Sequence, residues 1–177
     1  MINAYIAVTD EKSFEIRRAQ PSLDEVNFWR PSGRSFKALQ PGELFLFKLH
    51  KKPFIVGGGI FCHYSRIPVW MAWEAFGVKN GAESLEELKE KIAHYRQGEN
   101  AHQDDFYIGS IILEQPFFLT EEKWILIPPD WSPSIQSGKR YDLSVEPGLT
   151  ILRQLQERTN ISPQLIRERP ARYGEPT

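Results

Sequence analysis

The 177-residue chain sets 22 Lys and Arg against 23 Asp and Glu, a formal charge of −1, and 41% of its residues are hydrophobic. That composition supports one domain with a core and excludes an intrinsically disordered chain. Near-neutrality also excludes any argument for a polyanion partner from total charge, so such a site must be a local basic patch.

The single cysteine, Cys62, cannot close an internal disulfide, which suits a reducing compartment. The opening MINAYIAVTDEKSFEI meets acid by Asp10 and lacks the basic and long apolar regions of a signal peptide. No apolar run approaches the roughly 18 residues that a membrane span needs. The expectation is a soluble, cytoplasmic protein with no membrane partner.

In chain order, residues 2–8 form a short apolar run that predicts a buried strand. Residues 10–19 (DEKSFEIRRA) predict a helix ended by Pro21. Residues 28–39, FWRPSGRSFKAL, place two aromatics and a cation before a Pro-Ser-Gly turn and read as a loop. GELFLFKLH (42–50) predicts a central strand after a Pro41-Gly42 turn. The strand at 53–69 should follow it, with Gly57, Gly58 and Gly59 marking a bend or a close backbone approach.

WMAWEAF (70–76) predicts a short helix stopped by Gly77. Ser84 to Glu87 is a capping box, and Leu85, Leu88, Ile92 and Tyr95 then recur at helical spacing. A polar loop at 98–105 and strands at 106–119 and 123–128 come next, then a long loop at 128–143. Pro147 opens a last helix with Leu149, Leu152 and Leu155 inward. The arginine- and proline-rich residues after Asn160 read as a linker, giving a domain over 1–160 and a linker over 161–177. Strands outnumber helices without alternating with them, so the class is α+β with a bent or closed sheet and flanking helices.

Catalytic signatures do not emerge. Cys62 and His63 are neighbours on a predicted strand and point to opposite faces, which rules out a thiol–imidazole pair. The histidines His50, His63, His94 and His102 lack ligand spacing, and the glycine run lacks the lysine of a phosphate-binding loop. No catalytic residue, metal site or cofactor is assigned, and the chain by itself is not expected to be an enzyme.

Binding chemistry is more visible. Between Phe28 and Lys52 lie six cations (Arg30, Arg34, Lys37, Lys48, Lys51 and Lys52) and one acid, Glu43. Lys51 and Lys52 read equally well as a solubilised hairpin tip. Rings interleaved with guanidinium groups suit a planar, anionic ligand, the ring stacking on a base and the cation holding phosphate. The run from Asp130 to Asp142 repeats the mixture with Trp131, Ser134, Lys139, Arg140, Tyr141 and Asp142, an inventory fitted to an extruded base. The competing reading in both segments is that the tryptophans plug the core.

The run from Glu25 to Phe61, EVNFWRPSGRSFKALQPGELFLFKLHKKPFIVGGGIF, resembles the N-terminal region of bacterial HNH endonucleases of the modification-dependent restriction type. That region belongs to the PUA superfamily with the EVE, ASCH and SRA modules. The similarity continues through IPVWMAWEAFGVKNGAESLEELKEKI, YIGSIILEQPFF and DWSPSIQSGKRYDLS. The EVE-type order of a Trp and Arg loop before a strand is matched here by Trp29, Arg34, Phe36, Leu39, Gly42 and Glu43. ARYGEPT resembles the lead into the nuclease domain, and no His-Asn-His module precedes Thr177.

The resemblance implies a PUA-like barrel that binds duplex DNA carrying 5-hydroxymethylcytosine or 5-methylcytosine by base flipping, as the targeting domain of an HNH nuclease. An RNA-binding module is the alternative. On that reading Trp29, Ser32, Tyr64, Trp131, Ser134, Tyr141 and Asp142 form the base pocket. Arg30, Arg34, Arg66, Lys139 and Arg140 hold phosphates.

Overall fold

A computed structural model of the chain describes residues 1–96 and 107–159. β1 (Asn3–Thr9) leads into α1 (Glu11–Arg18), whose acid at Glu11 and cations at Arg17 and Arg18 match the helix dipole. β2 (Glu25–Arg30), β3 (Leu44–Leu49) and β4 (Phe54–Pro68) follow. α2 (Val69–Phe76) stops at Gly77, which takes a positive φ of 49°. In α3 (Leu85–Tyr95) the Ser84 hydroxyl accepts from the Glu87 amide at 3.1 Å, the predicted cap. β5 (Tyr107–Phe118), β6 (Ile125–Leu126), β7 (Gly138–Asp142) and α4 (Gly148–Arg158) complete the order.

Hydrogen bonding orders the seven strands β2-β5-β4-β3-β1-β7, with β6 paired to β4. β1 and β3 are parallel, while β1–β7, β2–β5, β3–β4 and β4–β6 are antiparallel. The class is α+β, as the strand-rich sequence predicts.

Two of the sequence expectations fail here. Phe28, Trp29 and Arg30 belong to β2, not to a loop, because β5 supplies them with a strand partner: Phe28 faces Ile111 and Trp29 faces Ser110. The expected loop at 128–143 contains β7, which pairs with β1 although GKRYD shows no apolar alternation.

The chain divides into two compact units. The first comprises Met1–Asp10, Ala38–Phe61 and the chain from Gln115. Its core joins Ile2, the residue before β1, and Ala4 and Ile6 of β1 with Leu44 and Leu46 of β3 and Ile151, Leu152 and Leu155 of α4. The predicted glycine approach is real: a Cβ on Gly58 would lie 2.3 Å from the Phe45 carbonyl oxygen, and one on Gly57 2.4 Å from that of Phe117. The β3–β4 register shifts beside them, between Phe47 and Lys48.

The second unit comprises Glu11–Lys37 and Cys62–Glu114. Its core gathers Trp29, Val69, Ala72, Leu88, Ile92 and Ile108. Beside it the buried Asn27 amide donates to Asn80 Oδ1 at 2.8 Å and to the Ser110 hydroxyl at 3.1 Å. The buried Arg17 guanidinium donates to the Asn27 carbonyl at 2.7 Å, which ties α1 to β2. Residues 97–106 and 160–177, including His102, the polar loop and the expected linker, lie outside the described residues. Among the described residues no helix is long and apolar enough to cross a membrane.

Candidate nucleic-acid interface

In the first unit the β3–β4 hairpin and the segment between β6 and β7 flank an open hollow of about 520 Å³. The hairpin tip is fixed by backbone bonds from His50 N to Thr9 O at 2.9 Å and from Ile127 N to Pro53 O at 3.0 Å. Lys51 occupies the turn at φ 64°. His50, Lys51 and Lys52 are exposed and rim the opening. Val8, Ile127, Pro133 and Ile135 supply apolar wall, and Lys48 and Trp131 complete the lining.

Lys48 owes its position to strand alternation. It follows Leu44 and Leu46 at the two-residue period, so it continues an apolar row into the hollow. Only 7% of it is exposed. Its ammonium donates to the Leu49 carbonyl at 2.9 Å and stands 5.8 Å from the centre of the Trp131 ring. Burial pulls its pKa below the ordinary lysine value.

Trp131 is half-buried against the first unit's core. Its backbone amide bonds to the Pro128 carbonyl at 3.0 Å, and its indole N–H has no partner among the described residues. The indoles of Trp29 and Trp124 differ, donating to the Asn80 and Leu119 carbonyls at 2.9 and 3.2 Å. Trp131 therefore combines a half-exposed ring with a free donor, which is what a stacking wall for a polar aromatic ligand needs.

The second unit carries its own cationic cluster. β2 ends at Arg30, and Gly33, at φ 68°, turns the chain so that the Tyr64 hydroxyl donates to its carbonyl at 2.8 Å. Gly109 makes room for that phenol, since a Cβ there would lie 2.6 Å from the hydroxyl oxygen. Arg66 stacks over Tyr107 at 4.6 Å, and Arg30 lies 5.5 Å from the Phe36 ring centre and donates to the Ser35 carbonyl at 3.2 Å. Burial raises the Tyr64 pKa, against the opposing pull of Arg30 and Arg66.

No known family's sequence profile matches the chain, and no curated protein matches it. Solved structures do. The ASCH protein of Zymomonas mobilis is 12% identical, covering 84% of this chain and 94% of its own with a TM-score of 0.52. A tyrosine-to-phenylalanine variant of that protein is 10% identical over 86% of this chain and 97% of its own, also at 0.52.

The fold is PUA-like.

Within this PUA-like fold the anticipated site residues separate. Arg30, Arg66 and Tyr64 come together in the second unit; Arg34 is exposed beside them in sequence, its amide bonded to the Ser32 hydroxyl at 3.3 Å. Trp131 lines the hollow. Trp29 does not: it is 9% exposed, lies in the second unit's core and meets Tyr95 edge-on at 6.0 Å. Its placement on a loop tip is corrected by its pairing in β2, which turns the indole inward.

Tyr141 is likewise a core residue of the first unit. Its hydroxyl donates to Asp130 Oδ1 at 2.8 Å, and Lys139 bridges Asp130 at 3.2 Å while lying 4.9 Å from the Tyr141 ring centre. One oxygen of Asp142 accepts from the Ile2 amide and from the Ser144 amide and hydroxyl, at 3.0, 2.9 and 2.6 Å. Those bonds, led by the Ser144 hydroxyl, bring its pKa down to about 2. Both groups hold the strand end in place. Ser134 is exposed and bonded to the Ser132 hydroxyl at 2.8 Å, and Arg140 is exposed on β7.

The sequence reading assigned no role in the site to Lys48 or His50, and it left Lys51 and Lys52 undecided. The signal for Lys48 was present in LFLFKLH, where a lysine falls in phase with two core leucines.

Proposed function

We propose that this chain is a non-catalytic nucleic-acid-binding module whose hollow accepts an extruded base, and that its physiological target is a modified cytosine in duplex DNA. The observation that carries the reading is the half-buried Trp131 with its unengaged N–H, set among Lys48, His50, Lys51 and Lys52 with no acidic side chain in the lining among the described residues. Stacking on the indole contributes about 1–3 kcal/mol, comparable to the few kcal/mol that unstacking a base costs. Lys51 and Lys52 at the rim meet the flanking phosphates. Arg34 and Arg66 in the second unit add phosphate contacts of their own.

The modified-cytosine target rests on the resemblance of residues 25–61 to the sensor regions of HNH restriction endonucleases. In that setting the module would direct a nuclease domain to marked DNA. The test is fluorescence anisotropy with matched duplexes containing cytosine, 5-methylcytosine or 5-hydroxymethylcytosine, and with single-stranded RNA as competitor. Tighter binding of a modified duplex, abolished in Trp131→Ala with salt-dependent background retained, is expected. RNA displacing every duplex would replace the DNA reading with the RNA one, and no binding of either would end both.

A further inference from the structure

The polar side chains around the hollow are nearly all donors. Lys48 and Lys51 present ammonium groups, Trp131 presents an N–H, and the His50 ring can both donate and accept. Among the described residues no carboxylate, amide or hydroxyl side chain belongs to the lining. A ligand that fits must therefore bring acceptors.

Lys48 sharpens the requirement. Of its three N–H donors one goes to the Leu49 carbonyl, and among the described residues it has no carboxylate partner. Lys48 is a buried residue, 7% exposed, and a largely buried cation without a counter-charge is less favourable than one that an anion meets. The same burial lowers its pKa from the ordinary lysine value. The exposed Lys51 and Lys52 carry no such penalty and discriminate less.

We propose, resting on the reading of the hollow as a base pocket, that Lys48 makes it selective for cytosine whose 5-substituent is a carboxylate. In a cytosine stacked on Trp131, the 5-substituent lies beside the exocyclic amine on the major-groove edge. A methyl group offers the ammonium nothing, and a hydroxymethyl offers one neutral oxygen. A carboxylate offers charge and two acceptors, forming a charge-assisted pair. Backbone phosphate has the same chemistry but is identical in every duplex, so a comparison at constant backbone isolates the base.

The experiment measures the full chain against labelled duplexes that differ at one cytosine: plain, 5-methyl, 5-hydroxymethyl and 5-carboxyl. The carboxyl duplex should bind about ten-fold or more tighter than the hydroxymethyl one. Lys48→Met should erase that preference and Lys48→Arg retain part of it, whereas Lys51→Gln and Lys52→Gln should weaken all four in parallel. The wild-type ranking needs no variant to fold. Strongest binding of the hydroxymethyl or methyl duplex overturns this inference and leaves modified-cytosine reading intact. Equal affinities that all fall in Lys48→Met assign the lysine to phosphate and overturn it too. No binding of any duplex removes both this inference and the reading beneath it.

Discussion

Replacing Trp29 separates a core tryptophan from the one proposed to stack on a base. The residue is 9% exposed among Val69, Ala72, Leu88, Ile92 and Ile108. An indole buries about 200 Å², which at about 25 cal/mol per Å² is worth on the order of 5 kcal/mol. Trp29→Ala should therefore cost about 3–5 kcal/mol, close to the whole margin of a marginal domain. Trp29→Phe keeps most of the apolar contact and removes the N–H that the Asn80 carbonyl accepts at 2.9 Å. Leaving that carbonyl unpaired should cost about 1–3 kcal/mol. Melting should fall by roughly 2–4 °C per kcal/mol in a chain of this length. Thermal unfolding followed by circular dichroism reads the shift, and anisotropy on the folded Phe variant reads binding. The expected pair is a lowered melting temperature with unchanged preference among duplexes. A Phe variant that melts like wild type but no longer distinguishes modified from plain DNA would refute the core assignment.

Two further outcomes follow from the first unit. Asp142 has its pKa lowered to about 2 by bonds from Ser144 and the Ile2 amide, against a value near 4 for an unfolded aspartate. Its contribution to stability is complete above about pH 4 and disappears as the pH falls through about 2. Melting temperature measured across that window should drop in the wild type, and Asp142→Asn should show a shallower drop; parallel curves would contradict the assignment. Gly58→Ala forces a methyl group to within 2.3 Å of the Phe45 carbonyl oxygen, so β3 and β4 must part. A loss of about 2 kcal/mol or more is expected in urea unfolding, and a wild-type midpoint would show that the strands are not held so closely.

Legibility in the sequence followed how local each determinant was. The α3 cap needs only Ser84 and Glu87, and the glycine run announced the backbone approach at Gly57 and Gly58. β7 was hidden because GKRYD has no alternation of its own; its strand conformation is supplied by pairing with β1. The candidate site residues, grouped together in the sequence reading, divide in the structure. Phe28-Trp29-Arg30 and Asp130-Trp131-Ser132 look alike as text, a ring beside polar neighbours. The fold assigns them opposite fates: β5 pairs with β2 and Asn80 takes up the first indole, while the second stays half-exposed beside Lys48.

That contrast bears on which tryptophan suits the proposed binding role. Hydrophobic payload does not, since every indole has it. Cation proximity does not either, since Arg30, next to Trp29, directs its guanidinium to the Phe36 ring and the Ser35 carbonyl. What separates Trp131 from Trp29 and Trp124 is the state of the indole N–H; what separates it from Trp70 and Trp73 is its place in the lining of the hollow beside Lys48. A tryptophan whose donor is already satisfied by a buried carbonyl gains nothing from a ligand and loses a hydrogen bond if it moves to meet one. Trp131, with a backbone anchor, a half-buried ring and an unengaged donor, can offer its N–H to a polar aromatic guest without breaking any bond the fold depends on.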